Sequence, residues 1–336
     1  MKEMKQSGKT AIVGFDGAVD TRVRVRHKTG EDAGYFASLA DFGRSLAAHE
    51  GKNCSFELER ISEHFGGNAP LIANALQAMG TETVCIGTMG LKDLHPAFQE
   101  TGAKLISYGD PASTLALEFE DGKTFLEENP DLPDAWEKIR TAVSEKTETD
   151  VASFFQNADL LAFVNWSELP YAGKLWKKLS ADCFSGEKTD CSKFMFFDLC
   201  DISRRTVAEC RGVLSQIAEF SKKRFTVLGL NQNETEVLGE ILGYGSEPDR
   251  ICRNLQDLYG IAEVLMHTRT ENRLYTENGR SVSRKVCLVE KPAVLTGAGD
   301  HFSAAYCQSL LLGMDAVERL RFATEYAENY VRTGKA

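Results

Sequence analysis

Short apolar runs recur between helical stretches along most of this chain. "KTAIVGFDGAVD" opens with a strand over residues 10–13 that breaks at Gly14, and "ETVCIGTMG" reads as a buried strand. "DLLAFV", "KFMFFDL", "RFTVLGL" and "AEVLMH" follow, each separated from the next by a helical stretch. Strands apolar on both faces and alternating with helices predict an α/β fold: a mostly parallel central sheet with helices on both faces. A second pattern interrupts it. "DTRVRVRH" alternates arginine with valine at Arg22, Arg24 and Arg26, the period of a strand with one wet face. "SFELERI" reads as a similar strand, and "STLALEFEDGKTFLEE" as a hairpin with Asp121-Gly122 in a type I′ turn. These segments predict a small antiparallel β flap, or lid, over one edge of the sheet.

Two helical segments stand out near the N-terminus. "YFASLADFGRSLAAH" sets Phe36, Leu39, Phe42 and Leu46 at helical spacing, and "FGGNAPLIANALQAMG" is a glycine turn opening a helix that closes at Gly80. Residues 127–150 are acidic and loop-like around one helix at Trp136 to Val143. No internal repeat appears. The expected organisation is one domain over 1–336, with lid strands near 17–30, 54–63 and 112–127.

Composition narrows the function classes. Of 336 residues, 43% are hydrophobic and 26% charged, which suits a chain that forms a core, and the net charge of -10 argues against a sequence-blind grip on nucleic acid. No signal peptide and no long apolar run are present, so no membrane partner and a cytoplasmic location are expected. The nine cysteines form no C-x-x-C pair and have no histidine among the Cys183–Cys210 group, which favours unpaired thiols over zinc.

Two motif-like stretches carry little. "SGKT" at Ser7 to Thr10 precedes its strand and lacks the first glycine of a phosphate loop, and "GFDGAVD" is not G-x-G-x-x-G. "TGAGD" carries more. Gly297 and Gly299 let successive backbone N–H groups converge on an anion, and the helix starting in "HFSAAYCQSLLLG" adds its own unpaired N–H groups and dipole. An anion there would be repelled by Asp300, so the site suits static binding poorly. It suits a hydroxyl that gives its proton to Asp300 and attacks phosphorus.

"TGAGDHFSAAYCQSLLLG", "FGGNAPLIANALQAMG", "NQNETEVL" and "FFDLCDISR" resemble the signatures of the ribokinase-like (PfkB) family of carbohydrate kinases, in the right order along roughly residues 10 to 334. The resemblance implies a ribokinase-like fold and an ATP-dependent phosphotransferase acting on a hydroxymethyl group of a sugar or sugar-like molecule. It implies Asp300 as general base, with Gly297, Ala298 and Gly299 forming the anion hole. Gly66, Gly67 and Asn68 would face the sugar. The family places one sugar-binding aspartate after the first strand; Asp16 and Asp20 are both candidates, with Asp20 preferred. Asn233 and Glu236 would organise Mg²⁺ through water, although Asn231 and Glu234 share the spacing. Thr268 and Thr296 would contact ATP. Relatives carry Asp-Thr where this chain has Val294 and Leu295, which implies weak potassium activation, and the T-x-G-x-x-G nucleotide segment survives only as Thr268. Two alternatives remain open. A nucleoside kinase would need a base slot, for which Phe36, Phe119 or Phe125 are available, and a catalytically inactive sensor would bind the same ligands. The arginine stripe would clamp a substrate phosphate only if the acceptor carried one. Unpaired flap edges also suggest a homodimer through the lid.

Overall fold

The computed structural model describes residues 8–28, 34–294 and 296–335. Ser7, residues 29 and 30 of the expected lid strand, and Leu295 lie outside the described residues. In chain order the strands are β1 (Thr10–Gly14), β2 (Ala18–Lys28), β3 (Gly34–Tyr35), β4 (Glu57–Gly66), β5 (Glu82–Thr88), β6 (Lys104–Gly109) and β7 (Ala112–Phe119). They continue as β8 (Gly122–Glu128), β9 (Leu160–Phe163), β10 (Asp190–Asp198), β11 (Arg224–Asn231), β12 (Glu263–His267), β13 (Glu271–Tyr275) and β14 (Ser281–Lys285).

The large sheet has the order β14-β13-β12-β11-β10-β9-β1-β5-β6. Neighbours from β12 to β6 are parallel, and β13 and β14 extend one edge antiparallel. Strand alternation explains the continuous apolar runs. In β9, Leu161 and Phe163 enter one core with Phe197 and Trp176, while Leu160 and Ala162 enter the opposite core with Phe196 and Phe302. Each large side chain buried this way stabilises the fold by roughly 1.5 to 3 kcal/mol. Polar residues gather where the parallel strands end: Asp16 after β1, Asn165 after β9, Asp198 ending β10, Asn231 ending β11 and His267 ending β12. Crevices at the carboxyl ends of such sheets are where ligands bind.

The second sheet runs β3-β2-β7-β8, with β4 also on β2. Its pairings are antiparallel except for β2 with β7. Val23, Val25 and Leu117 form its own apolar cluster with Phe36, Phe42, Phe56 and Phe119. Helix Leu39–Ala47 supplies Phe42 to this cluster.

The structure corrects two local expectations. The helix expected from Tyr35 starts only at Leu39, because the Ser38 side chain accepts from Asp41 N at 3.0 Å and caps it. Phe36 therefore lies in the connection, where its N–H donates to Val25 O at 3.0 Å. In the hairpin, Phe119 pairs with Gly122, so Glu120 and Asp121 occupy the turn, and neither has the positive φ that type I′ requires. Asp121 instead accepts from Leu39 N at 2.9 Å, fastening the turn to the helix start. β6, β13 and β14 had no counterpart in the sequence pattern. All nine cysteines are unpaired.

Candidate active site

Asp16 leaves β1 fully enclosed. Its Oδ2 accepts from Asn68 N at 2.7 Å and from Asn165 Nδ2 at 2.7 Å, and its Oδ1 accepts from Ala69 N at 2.9 Å. It thereby caps helix Asn68–Ala78, whose N-cap, Gly67, has no side chain for the purpose. Burial pushes the Asp16 carboxyl up, against the hydrogen bonds that favour its charge. Gly67 has φ of 90°, and a Cβ there would lie 2.6 Å from Asp16 Oδ2, so this turn requires glycine.

Asp20 approaches the same turn from the flap. A Cβ on Gly66 would lie 2.4 Å from Asp20 Oδ2. The register sets His64, Asp20, Thr114 and Glu127 in one row across β4, β2, β7 and β8. Burial raises the Asp20 carboxyl, while its hydrogen bond with Thr114 and the nearby His64 oppose that. The two candidate aspartates thus flank the Gly66–Gly67 turn from opposite sides. They differ in what is left over: Asp16 already accepts three N–H groups, whereas Asp20 keeps acceptor capacity.

The loop before helix Ala298–Leu311 is held from behind. Gly297, the N-cap, has φ of 84° and no side chain caps the helix, so the first-turn N–H groups of Ala298, Gly299 and Asp300 remain for a ligand. His301 Nδ1 is 2.8 Å from Gly297 O, and its ring stacks on Tyr330 with centroids 3.5 Å apart. Tyr330 donates to Thr296 O at 3.1 Å, and Ala293 N donates to Val331 O at 2.9 Å. Helix Ala316–Thr333 therefore braces the loop. Val294 packs within 4.0 Å of the position a Gly334 side chain would take. On the other side, His267 lies 3.2 Å from where a Gly299 Cβ would be, and burial pushes its imidazole down to about 4, leaving it neutral.

Asp300 is held well above the ordinary carboxylate range, first by burial and then by Asp198 and Asp16. Burial also raises Asp198, and it raises Glu234 with further help from Asp198, Asp201 and Asp300. Asp16, Asp198, Glu234 and Asp300 therefore form one electrostatic group. Within the N-x-x-E stretch this grouping includes Glu234. Asn231 ends β11 and caps helix Gln232–Leu242, its Oδ1 accepting from Glu234 N at 2.9 Å while Glu234 Oε2 accepts from Asn231 N at 2.8 Å. Glu234 is buried, and Asp300 is among the charges that raise its carboxyl. Asn233 and Glu236 are exposed, and Glu236 accepts from Gln232 Nε2 at 2.9 Å. The strand extends to Asn231 and turns Glu234 inward, while the preferred later pair, Asn233 and Glu236, stays at the surface.

Asn233 and Glu236 instead edge a cleft of about 1010 Å³ that reaches Ala298 and Gly299 and includes Thr268. Its apolar wall comes from Val286, Leu288, Val289, Pro292 and Phe302. Thr268 Oγ1 donates to Glu271 O at 2.7 Å and closes the β12–β13 turn. Thr296 is exposed, and its carbonyl is taken by Tyr330.

Of the three rings available for a base slot, two are engaged elsewhere. Phe36 and Phe119 are used in the flap's own cluster, while Phe125, opposite Ala116 and Arg22, shares the Asp20 face and is 49% exposed. Two of the arginines are paired with carboxylates, Arg22 through two hydrogen bonds of 2.7 Å to Glu118 and Arg26 at 3.6 Å from Glu59, and Arg24 lies over the Tyr35 ring. Sequence reasoning missed Asn165, Asp198 as an individual residue, and Arg204, which bridges Glu127 of the flap at 3.1 Å and Glu168 of the core.

The family model described as prokaryotic ketohexokinase matches residues 2–336. This chain belongs to that family. A ketohexokinase from Haloferax volcanii is 26% identical over 97% of this chain and 88% of its own length. In fold, this ketohexokinase-family chain is similar to Arabidopsis thaliana ribokinase complexed with ribose and ATP, at 16% identity and a TM-score of 0.64 over 98% of this chain and 94% of that one. It is equally similar to a Burkholderia thailandensis nucleoside kinase in complex with inosine, at 15% identity and a TM-score of 0.63 over 96% and 91%. The protein is a carbohydrate kinase with the ribokinase fold. Among the described residues no helix is long and apolar enough to cross a membrane.

Proposed function

We propose that this ketohexokinase-family enzyme transfers the γ-phosphoryl group of ATP to a hydroxymethyl group of a ketohexose. The observation that carries the reading is Asp300 in the first turn of an uncapped helix whose Ala298 and Gly299 line the apolar-walled cleft, with Asp16 among the charges that raise its carboxyl. The cleft suits the base and ribose of a nucleotide, and Asp20 with Asn68 suits hydroxyls of the acceptor. The acceptor O–H gives its proton to Asp300 as oxygen bonds to the γ-phosphorus and the bond to ADP breaks. The N–H groups of Ala298, Gly299 and Asp300 stabilise charge on the transferring phosphoryl.

Mutually repelling oxygen donors suit a hard divalent cation such as Mg²⁺, and Asp198, Glu234 and Asn231 would hold it. Among the described residues no three acidic, histidine or cysteine side chains converge on a metal position, so water and phosphate oxygens would complete its shell. When bound, the cation supplies positive charge that neutralises the phosphates and offsets the repulsion raising these carboxyls.

An ATP-consumption assay across ketohexoses, aldoses, sugar phosphates and nucleosides tests the reading. The expected result is Mg²⁺-dependent turnover highest with a ketohexose, giving one ADP per sugar monophosphate. Faster turnover of a nucleoside would replace the reading with that of a nucleoside kinase. Sugar binding without turnover would favour a sensor, against which the uncapped helix and Asp300 stand.

The carboxylate group also predicts a pH dependence. Asp198 is raised to about 6 and Glu234 to about 9. The folded protein therefore keeps protons that the unfolded chain releases near pH 4. Stability is fully present below about pH 4 and is lost progressively as pH rises, until about 6 for Asp198 and about 9 for Glu234. Thermal melts without ligand should show Tm falling across that window, with a flatter slope when Mg²⁺ and ADP are present. A Tm that rose with pH would show that these carboxyls are compensated within the protein.

A further inference from the structure

Two carbonyls of the loop before helix Ala298–Leu311 are held by side chains behind it. Gly297 O accepts from His301 N at 3.0 Å and lies 2.8 Å from His301 Nδ1. A carbonyl only accepts, so the ring proton is on Nδ1. Thr296 O accepts from the Tyr330 hydroxyl at 3.1 Å. Both peptides beside Gly297 are trans, and in a planar trans peptide the C=O and the N–H point in opposite directions. Fixing Gly297 O therefore aims the Ala298 N–H, while fixing Thr296 O holds the peptide before it. Between these two planes sits a glycine with φ of 84°, a residue whose own backbone has wide freedom. The imidazole that does the fixing is itself confined. It is 3% exposed and stacks on the Tyr330 ring, with centroids 3.5 Å apart and planes 12° from parallel. Helix Ala316–Thr333, which carries Tyr330, also lends Ala327, Glu328 and Val331 to the cleft wall. Loop and cleft are thus set against one element.

We infer that His301 and Tyr330 are positioning residues for phosphoryl transfer, aiming the N–H groups of the helix start at the transferring group without touching it. This rests on the reading above in which those N–H groups stabilise the phosphoryl. Donors aimed in advance act on the charge of the transition state more than on bound substrate, so the effect belongs in kcat. A packing role would instead show in stability. The ring and the donor of His301 can be separated: phenylalanine keeps a ring without the donor, and asparagine keeps an N–H donor without the ring.

The experiment measures kcat, both KM values and Tm for wild type, Tyr330→Phe, His301→Phe, His301→Asn and Gly297→Ala. Tyr330→Phe keeps the stack and loses only the donor to Thr296 O. In Tyr330→Phe and His301→Phe, kcat should fall roughly ten- to hundred-fold, with both KM values and Tm little changed. His301→Asn should turn over faster than His301→Phe. A packing role predicts the reverse order, and finding that order would overturn the inference. If His301→Phe failed to fold, Tyr330→Phe would decide alone, since it removes one hydroxyl from a half-buried residue. Wild-type kcat in that variant would overturn the inference. Gly297→Ala tests the underlying reading separately, because a Cβ there is strained at φ of 84° and lies 3.2 Å from Tyr330 Oη, so the loop must shift. Loss of kcat in Gly297→Ala alone would show that the loop acts without this brace. Wild-type kcat in all of these variants would remove the helix start from the chemistry.

Discussion

Replacing Asp300 by Asn is expected to lower kcat by about a hundred- to ten-thousand-fold, the usual contribution of a positioned base. The amide keeps the size of the carboxyl and leaves the N–H groups of the helix start in place. It also removes a charge that burial, Asp198 and Asp16 all disfavour. The variant should therefore melt no lower than wild type and bind ATP and sugar with similar affinity. Turnover near the wild-type rate would show that another group takes the proton. A lower Tm together with lost binding would show that Asp300 holds the loop rather than the chemistry.

Asp16 and Asp20 should fail in different ways. Asp16→Ala strips the acceptor from Asn68 N, Ala69 N and Asn165 Nδ2. Leaving a buried donor unpaired costs about 1 to 3 kcal/mol each, so the loss should be at least about 3 kcal/mol and lower Tm by several degrees. Asp20→Ala removes a charged acceptor from the flap at little structural cost. Its effect should be a sugar KM raised roughly 10- to 100-fold with the ATP KM nearly unchanged. Paired melts and kinetics on the two variants check this. If the sugar KM moved only in the Asp16 variant, the acceptor would be held by the core carboxylate and not by the flap.

Much of the site was legible because its parts are local. The Gly66–Gly67 turn, the start of helix Ala298–Leu311 and Asp300 all lie within short stretches whose residue types have few other uses. The apolar runs announced the parallel sheet for a similar reason, since both faces of its strands are covered. What escaped depends on where a strand stops. Asn231 with Glu234 and Asn233 with Glu236 have identical spacing, and only the length of β11 decides which glutamate turns inward. Phe36 fits a helical period but is excluded by the Ser38 cap. Asn165 and Asp198 gain meaning only when β9 and β10 are laid beside β1, over separations that no local pattern encodes.

The apolar cluster inside the flap has a consequence for the thermodynamics of ligand capture. A loop that folded over the acceptor would have to freeze its backbone at every binding event, at about 1 to 2 kcal/mol per residue. The flap is already ordered by Val23, Val25, Leu117 and the phenylalanines around them, so that entropy is lost once, during folding. Any closure of the flap would need rotation only where the sheet joins the core, near Gly17, Gly66 and Asp110. Most of the free energy of sugar binding is thus left for discrimination between hydroxyl patterns, and a lesion at Phe42 or Phe56 would weaken affinity for sugar without touching a residue that contacts it.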